Sequence, residues 1–410
     1  LKVCHADLHI HSKYSGGASA RMELKTIAQQ AEFKGLSLVG TGDAFHPRWL
    51  ENIKRELQNI GEGVFAHPEF STTFLLTAEV EDKTRVHHLI IIPDLGIAEE
   101  LRALFAKHSG DIDSDGRATL SLDAPEIVDE VTERGCLIGP AHAFTPWTSM
   151  YKEFDSLAEC YKDSASKVSF LELGLSADSD MADRIPELHA LSFLSCSDAH
   201  SPWPERLGRE FNRFEVQEIQ FSEIAKAINR QGGRKITLNV GFDPRLGKYH
   251  LTACTRCFEQ YSLIRARELG WKCEKCGGVI KKGVLDRVNE LAKLDSPVHP
   301  EHRPPYLRTA PLAEVIALAL GERNTQVPAV RSNWNKLVSE FGNEISVLVD
   351  VPAELIEKAT ERKIAEVIKA FRSGSLKVVA GGGGRYGRLE LPPEMERALT
   401  PQKTLVEFGI

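Results

Sequence analysis

The sequence predicts an α/β fold with a parallel sheet, either doubly wound or closed into a barrel, followed by smaller domains. From residue 1 to about residue 240, short β-branched runs alternate with stretches that carry apolar residues at helical spacing. Imidazole and carboxylate side chains recur where the apolar runs end. Both architectures place active sites at the C-terminal ends of parallel strands. Because an open sheet rarely brings five or more strand ends together, the pattern favours the barrel.

The predicted strands and helices follow one another in order along this region. Strand-like apolar runs end shortly before Asp43, Glu79, His142 and Asp198. Helical spacing predicts helices over 22–34, 98–107, 125–134, 178–190 and 222–231. Asp123, ahead of Pro125 and Glu126, is typical of an N-cap residue followed by a proline in the first turn.

Length and charge limit the classes of protein that this chain can represent. The 410 residues are enough for two or three domains with separate cores. A net charge of −7 excludes a global basic field but leaves room for a local basic surface. No apolar run reaches the ~20 residues of a membrane helix, and Asp7, His9 and His11 interrupt any signal peptide at the start. We therefore expect a cytoplasmic protein without a membrane partner.

The recurring histidines and carboxylates of residues 1–240 indicate a metal centre. Each imidazole or carboxylate gathered inside a protein must be desolvated or paired, and packing alone would rarely produce the whole set. Nitrogen and oxygen ligands suit Zn²⁺, Mn²⁺, Fe²⁺ or Mg²⁺, with Glu79 able to bridge two ions. Clustered divalent ions are typical of phosphoester hydrolysis. The candidates are His9, His11, Asp43, Glu79, the pair His87-His88, His142, Asp198 and His200.

These motifs, in this order, resemble those of the PHP (polymerase and histidinol phosphatase) family. The resemblance implies a distorted (β/α)7 barrel over residues 1–240, with two or three metal ions at the strand C-termini. It implies that one ion is bound by four residues that carry catalysis, namely His9, His11, Glu79 and Asp198. A second ion would be bound by Glu79 and His142 together with either His88 or His108. Asp43 and His200 would contribute to a third.

Two Cys-x-x-Cys pairs mark a second region, residues 241–290. Cys254 and Cys257 are separated from Cys273 and Cys276 by 15 residues, which is the spacing of a tetrahedral four-cysteine zinc ribbon. Such a closed Zn²⁺ site is structural rather than catalytic. The surrounding basic and aromatic residues suit phosphate contacts and base stacking, although they also fit an ordinary solvated basic face. The candidate DNA contacts of this region are Arg256 and Lys275.

Helical patterns dominate a third region, residues 291–400, after a proline-rich stretch that we interpret as an extended arm. The glycine run 381–384 is either a flexible turn or a close approach to a phosphate backbone, with Arg385 and Arg388 as its cations. Several aromatic residues near the metal motifs either belong to the core or form the wall of a pocket for an extruded base. They are Tyr14, Phe45, Trp49, Phe144, Trp147 and Trp203. Of these, Tyr14 is also a candidate DNA contact.

The last residues, 401–410, carry a short motif of their own. Gln402, Leu405 and Phe408 resemble the Gln-x-x-aliphatic-x-x-aromatic box with which repair and replication proteins bind a sliding clamp. The resemblance implies a PCNA-type clamp as a partner.

The order of these regions, with the string 140–147 around His142, resembles the endonuclease Q family over essentially the whole chain. The resemblance implies a DNA-repair endonuclease that recognises uracil, hypoxanthine, xanthine and abasic sites and cuts the phosphodiester 5′ to the lesion. One alternative is a small-molecule phosphatase of histidinol-phosphate type, for which the ribbon and the further domains have no evident use. Another is a non-catalytic PHP-like binding module, which the nearly complete ligand set disfavours.

Overall fold

A computed structural model describes residues 1–399, and its first 242 residues form an α/β barrel with additional hairpin strands. The strands are β1 (Lys2–Asp7), β2 (Leu38–Gly40), β3 (Gln58–Gly61), β4 (Val64–Ala66), β5 (Thr73–Glu81), β6 (His87–Ile92), β7 (Ala118–Thr119), β8 (Leu137–Pro140), β9 (Phe170–Glu172), β10 (Ser192–Leu194), β11 (Phe211–Val216) and β12 (Lys235–Phe242). The helices are α1 (Leu24–Lys34), α2 (Pro47–Glu56), α3 (Leu95–Phe105), α4 (Ala124–Thr132), α5 (Met150–Glu153), α6 (Leu157–Tyr161), α7 (Ser179–Ala182) and α8 (Phe221–Ile228), with 3-10 turns at Lys162–Lys167, Pro186–Ala190 and Pro244–Leu246.

Seven of these strands form the barrel, in the order β1, β2, β5, β6, β8, β9 and β10. The pairs β1–β2, β2–β5 and β9–β10 are parallel, whereas β6 runs antiparallel to both β5 and β8. The amide of Ser169 donates to the carbonyl of Ile138 (2.8 Å) and links β8 to β9. The amide of His11 donates to the carbonyl of Ala199 (2.9 Å) and closes the ring. The predicted distorted seven-stranded barrel is confirmed.

The helix boundaries follow local chemistry. The Asp123 carboxylate accepts from the amide of Glu126, and the Glu126 carboxylate accepts from the amide of Asp123, so α4 begins with a capping box as predicted. The predicted helix 178–190 is instead divided into α7 and the 3-10 turn that begins at Pro186. Proline has no amide hydrogen to donate and its ring clashes with the preceding turn, so a continuous helix is interrupted there.

A small ribbon and a long connection follow the barrel. Their elements are β13 (Ala253–Cys254), α9 (Leu263–Glu268), β14 (Ile280–Lys281), α10 (Val284–Leu291) and β15 (Tyr306–Thr309). The helix α10 packs on the barrel, and its Arg287 donates to the carbonyl of Tyr151 (2.7 Å). The proline-rich stretch ends in β15, which pairs in parallel with β12 of the large sheet. The predicted arm is therefore partly a sheet strand.

The C-terminal helical region has its own hydrophobic core, which begins at Ala310. Its elements are α11 (Leu312–Leu320), α12 (Pro328–Phe341), a π-helical turn (Ser346–Asp350), α13 (Ala353–Ala359), α14 (Arg362–Arg372), β16 (Lys377–Val379), β17 (Arg388–Glu390) and α15 (Pro393–Leu399). A buried ion pair joins this region to the barrel, since Lys34 Nζ lies 2.7 Å from Glu344 Oε1. Lys34 also donates to the carbonyl of Pro204 (2.9 Å), a few residues after His200. The helical region is thereby attached next to a loop of the candidate site.

Within residues 1–399, no helix is both long enough and apolar enough to cross a bilayer.

Candidate metal centre

The carboxylate of Glu79, near the end of β5, lies among four imidazoles. Its Oε1 is 2.9 Å from Nδ1 of His87 and 2.9 Å from Nε2 of His142, and its Oε2 is 3.3 Å from Nε2 of His11. Burial opposes ionisation, yet the nearby His87 and His9 hold the pKa of Glu79 well below its usual range. A buried carboxylate with imidazoles on both oxygens is suited to bridging two cations.

Three buried ligand atoms beside Glu79 lack a hydrogen-bond partner: Nε2 of His9, Nε2 of His11 and Oδ1 of Asp198. Asp198 Oδ1 lies 3.1 Å from His11 Nε2 and 3.8 Å from His9 Nε2. Because an unsatisfied buried polar atom costs about 1–3 kcal/mol, the convergence of three such atoms fits bound cations. The ring of His200 lies beside them, with its centroid 4.4 Å from that of His11.

These residues form three overlapping groups in which the ligand atoms lie within 4.8 Å of one another. The groups are His9 with His11 and Glu79; His11 with Asp198 and His200; and Glu79 with His87 and His142. The mixture of imidazole nitrogen and carboxylate oxygen, with shared members, fits a cluster of two or three divalent cations.

Two further carboxylates orient the imidazoles from outside the cluster. Glu172 Oε2 lies 2.8 Å from Nδ1 of His9, and Asp43 Oδ1 lies 3.0 Å from Nδ1 of His11. Each contact leaves Nε2 of the ring facing the cluster, which is the usual arrangement behind a metal-binding histidine. Glu172 was not predicted from the sequence. It is the last residue of β9, and Glu79 lies near the end of β5, so both carboxylates follow an apolar run.

Three residues at this end of the barrel have an unusual backbone conformation. Asp43, His142 and Asp198 have φ angles of 48°, 30° and 49°, in the left-handed region that residues other than glycine rarely adopt. Such conformations cost roughly 1–3 kcal/mol each and cluster at functional sites. The strain supports a functional role for this end of the barrel.

Known proteins with this architecture show which family it belongs to. Over its whole length, the chain matches the crystal structure of the lesion-specific endonuclease PfuEndoQ from Pyrococcus furiosus, with a TM-score of 0.92, 52% identity and 99% of that chain covered. The chain belongs to the endonuclease Q family. It also matches an endonuclease Q in complex with a 27-mer duplex that has an abasic lesion at the active site, with a TM-score of 0.90 and 52% identity over 96% of this chain and 98% of that one.

Two further proteins are similar to this chain in sequence. An uncharacterized protein of Bacillus subtilis, YqxK, is 32% identical over 95% of this chain and 100% of its own length. A protein of Methanocaldococcus jannaschii is 50% identical over 67% of this chain, which spans about a third (34%) of that longer relative. Residues 311–375 match the MJ0043 C-terminal domain family.

Three residues predicted as metal ligands, His88, His108 and Asp43, belong to none of the three ligand groups. The prediction of His88 is corrected to His87, because both ring nitrogens of His88 face away from the cluster, towards Asp82 Oδ2 (3.1 Å) and Tyr161 Oη (3.0 Å). His108 follows α3 and belongs to none of the three groups.

Asp43 is also outside the groups, because its oxygens are already occupied. Its Oδ2 accepts from the amide of Ser12 (2.6 Å) and from Ser15 Oγ (2.8 Å), while Oδ1 faces His11. Asp43 therefore positions His11, and the group that contains the predicted ligand His200 is completed by His11 and Asp198.

A cation that the sequence did not reveal lies at the edge of the cluster. Arg117 Nη1 is 3.3 Å from Glu79 Oε2, and 30% of the Arg117 side chain is exposed. No sequence motif distinguishes this arginine, because it follows the turn 109–116 rather than a long apolar strand. A guanidinium between the cluster and solvent is placed to hold an anionic oxygen.

The four cysteines of the predicted ribbon come together. Cys254 Sγ lies 3.5 Å from Cys276 Sγ, and Cys257 Sγ lies 3.6 Å from Cys273 Sγ. All four sulfurs lie within 4.8 Å of one another, which fits a tetrahedral zinc site. A Cβ atom at Gly278 would approach Cys254 Sγ to 2.9 Å, so this turn requires glycine.

The predicted DNA contacts have mixed surroundings. Lys275 Nζ lies 2.6 Å from Glu259, and Arg388 Nη2 lies 2.6 Å from Glu390, so both cations are paired. Arg256 donates to the carbonyl of Cys276 (3.1 Å), Arg385 lies over the ring of Phe258 (5.1 Å), and Tyr14 stacks on His46 (4.4 Å between ring centroids). Their role in DNA binding stays a prediction.

Of the aromatic residues near the metal motifs, three are core residues. Phe45, Trp49 and Phe144 are buried, whereas Trp147 and Trp203 are 44% and 41% exposed. Trp147 and Trp203, with the partly buried Tyr14, therefore keep ring surface that a nucleic acid could reach without a change in the core.

Proposed function

We propose that this protein is a metal-dependent endodeoxyribonuclease that hydrolyses DNA at damaged nucleotides. The observation that carries this proposal is the cluster around Glu79, in a chain similar end to end to a lesion-specific endonuclease. A related endonuclease Q holds a duplex with an abasic lesion at its active site. We further propose that uracil, hypoxanthine and xanthine are substrates alongside abasic sites. The cut would be 5′ to the lesion and would leave 3′-hydroxyl and 5′-phosphate ends.

The residues of the site have distinct roles in this reaction. Divalent cations held by the three ligand groups would supply Lewis acidity for phosphodiester hydrolysis. Glu172 and Asp43 hold the rings of His9 and His11 with Nε2 facing the cluster. Arg117, partly exposed beside Glu79, would bind a non-bridging oxygen of the scissile phosphate and so orient it.

The preference for lesions follows from the energetics of DNA. An enzyme that acts on a nucleotide within a duplex must first remove it from the base stack, which costs a few kcal/mol for a normal pair. The cost is lowest for a mismatched base, such as uracil opposite guanine, or for a missing base. A site that accepts only an extruded nucleotide therefore selects lesions before any base is contacted.

The test uses duplexes that are identical except at one position, which carries cytosine, uracil, hypoxanthine or an abasic site. We expect metal-dependent nicking of the three lesion duplexes, with product ends that map the cut to the 5′ side, and little nicking of the control. Histidinol phosphate is assayed in parallel. Release of phosphate from histidinol phosphate without nicking of any duplex would favour the small-molecule phosphatase.

The clamp motif lies outside the described residues, and we propose that residues 401–410 bind a sliding clamp. Leu405 and Phe408 are three residues apart, a spacing that places both on one side of a helical turn in a helix-in-groove complex. Tethering to a clamp raises the local concentration of nuclease on DNA without altering the site.

The cytoplasmic location expected from the sequence stays a prediction.

Deletion of residues 402–410 is expected to leave nicking of short linear duplexes unchanged and to abolish stimulation by a loaded clamp. The matched control is Lys403→Ala, which alters a position outside the box. Equal clamp stimulation of the full-length and deleted proteins on circular DNA would show that the motif is a chance match.

A further inference from the structure

The rings of Trp147, Tyr249 and Tyr386 surround the ammonium of Lys248. We call these four residues the aromatic cluster. Lys248 Nζ lies 5.9 Å, 5.4 Å and 5.7 Å from the ring centroids of Trp147, Tyr249 and Tyr386. Trp147 and Tyr249 meet edge to face, with centroids 4.8 Å apart. Tyr386 is 67% exposed and Trp147 is 44% exposed, so the cluster presents ring surface to solvent.

The loop that carries Trp147 is bonded to the metal centre. The Thr145 hydroxyl donates to the carbonyl of Trp147 (2.9 Å), and its Oγ1 lies 3.1 Å from Nδ1 of His142. The amide of His87 donates to the carbonyl of Thr148 (3.2 Å). His142 and His87, whose imidazoles contact Glu79, are therefore bonded to residues on either side of Trp147, His142 through its ring and His87 through its backbone amide. A DNA strand at the cluster around Glu79 would pass within reach of this ring.

The glycine run brings Tyr386 to the same place. A Cβ atom at Gly381 would lie 2.5 Å from the carbonyl oxygen of Gly247, and one at Gly383 would lie 2.3 Å from that of Cys254. Side chains at these positions would push the β16–β17 hairpin away from the ribbon and the segment before it. The amide of Gly384 donates to the carbonyl of Lys248 (2.8 Å). The run thus contacts protein backbone, and its tip holds Tyr386 beside Lys248.

The chemistry of the aromatic cluster matches a nucleotide. Among residues 1–399, no carboxylate pairs with the ammonium of Lys248. An exposed cation–π contact contributes little by itself. Aromatic faces beside an unpaired cation are the combination that single-stranded nucleic acid binds, with the base on a ring and the phosphate on the cation.

We propose that the aromatic cluster stacks one nucleobase that has left the helix beside the cleaved phosphodiester, with Lys248 on its phosphate. The inference rests on the proposed nuclease function and adds residues that position the substrate strand. Three separate parts of the chain form the cluster: the loop after His142, the segment before the ribbon, and the tip of the glycine-run hairpin. Each is fixed by the backbone contacts described above, so the stacking surface exists before DNA binds.

The test compares the double variant Trp147→Ala, Tyr386→Ala with the ring-preserving variant Trp147→Phe, Tyr386→Phe. Loss of base stacking weakens binding by roughly 5- to 150-fold per base. We therefore expect KM for a uracil-containing duplex to rise by that factor in the alanine variant, with kcat changed less. The phenylalanine variant should recover most of the loss. Leu355→Ala, which removes an exposed side chain from α13, is the control for surface truncation.

A fluorescent base locates the stacking directly. The base analogue 2-aminopurine, which is dim when stacked and bright when free, is placed at the positions that flank the lesion and opposite it. In single-turnover reactions, we expect one position to stay dim with the wild-type protein and to become bright with the alanine variant. Equal KM and equal fluorescence of the two proteins, while the wild type nicks normally, would overturn the inference alone. Absence of nicking by the wild-type protein would instead overturn the proposed function.

Discussion

Glu79→Gln is expected to lower the rate of lesion-DNA cleavage by roughly 10³-fold or more. The carboxylate lies between two ligand groups, and His11, His87 and His142 all contact its oxygens. A neutral amide is a weak ligand, so the loss affects more than one cation. Metal ions supply several kcal/mol of transition-state stabilisation, and each 1.36 kcal/mol is a factor of ten in rate. Cleavage of an abasic duplex and elemental analysis of the purified protein measure both effects.

The matched control is Glu81→Gln, on the same strand and face. Glu81 Oε2 contacts Nε2 of His87 (3.0 Å), on the side away from the cluster, and orients that ring, while its Oε1 lies 3.8 Å from Arg85 Nε. Loss of such an outer contact typically costs 10- to 100-fold, and Glu172→Gln behind His9 is expected to behave similarly. If Glu79→Gln lost its metal but cleaved as fast as Glu81→Gln, the cluster would not be the catalytic centre.

The strand-end pattern predicted most of this centre because parallel strands bring their C-terminal ends to one edge. For the second ion it left His88 and His108 open, whereas His87, the neighbour of His88, lies beside Glu79. Successive side chains of a strand point to opposite faces, so a one-residue difference in register exchanges His87 and His88. Here β6 runs antiparallel to β5 with His87 opposite Glu81, and His87 faces Glu79.

The carboxylates show a second limit of sequence analysis. Asp43 and Glu172 occupy strand-end positions like that of Glu79, yet they contact Nδ1 of a histidine rather than the centre of the cluster. An aspartate or a glutamate can bind a metal ion or can orient a histidine that binds it, so the residue type does not distinguish the two roles. Only the direction of the side chain separates the two roles, and that direction depends on packing with distant strands.

The four-cysteine ribbon was predictable because its spacing is local, whereas the aromatic cluster was not. Trp147, Lys248 and Tyr386 are far apart in the sequence and meet only because the glycine run fits against the backbone of residues 247–254. The sequence left two roles open for these glycines, a flexible turn or a close approach to a phosphate backbone. In the structure they lie close to protein backbone, and contact with a phosphate stays a prediction.

The double substitution Cys254→Ser, Cys257→Ser is expected to remove one zinc ion per chain and to unfold the ribbon. Structural zinc supplies roughly 10–16 kcal/mol of apparent binding energy in small domains. The hydrophobic core of the ribbon contains only Cys254, Ala266, Cys273 and Ile280 as fully buried residues, so it cannot compensate. The barrel has a separate core and should keep its thermal transition and its ions.

DNA affinity of this variant should fall, and the salt dependence identifies the cause. If Arg256 and Lys275 neutralise phosphates, losing them makes the plot of log affinity against log salt less steep, by about 0.9 for each contact. Lys275 is already paired with Glu259, however, and the carbonyl of Cys254 lies against Gly383 of the hairpin that carries Tyr386. We therefore expect weaker binding and a slope that is less steep by about 0.9, the contribution of Lys248, because the main loss is the aromatic cluster. The control Cys136→Ser, at a buried cysteine of the barrel, should keep its zinc. Retention of both zinc and DNA affinity by the double variant would contradict the ribbon assignment.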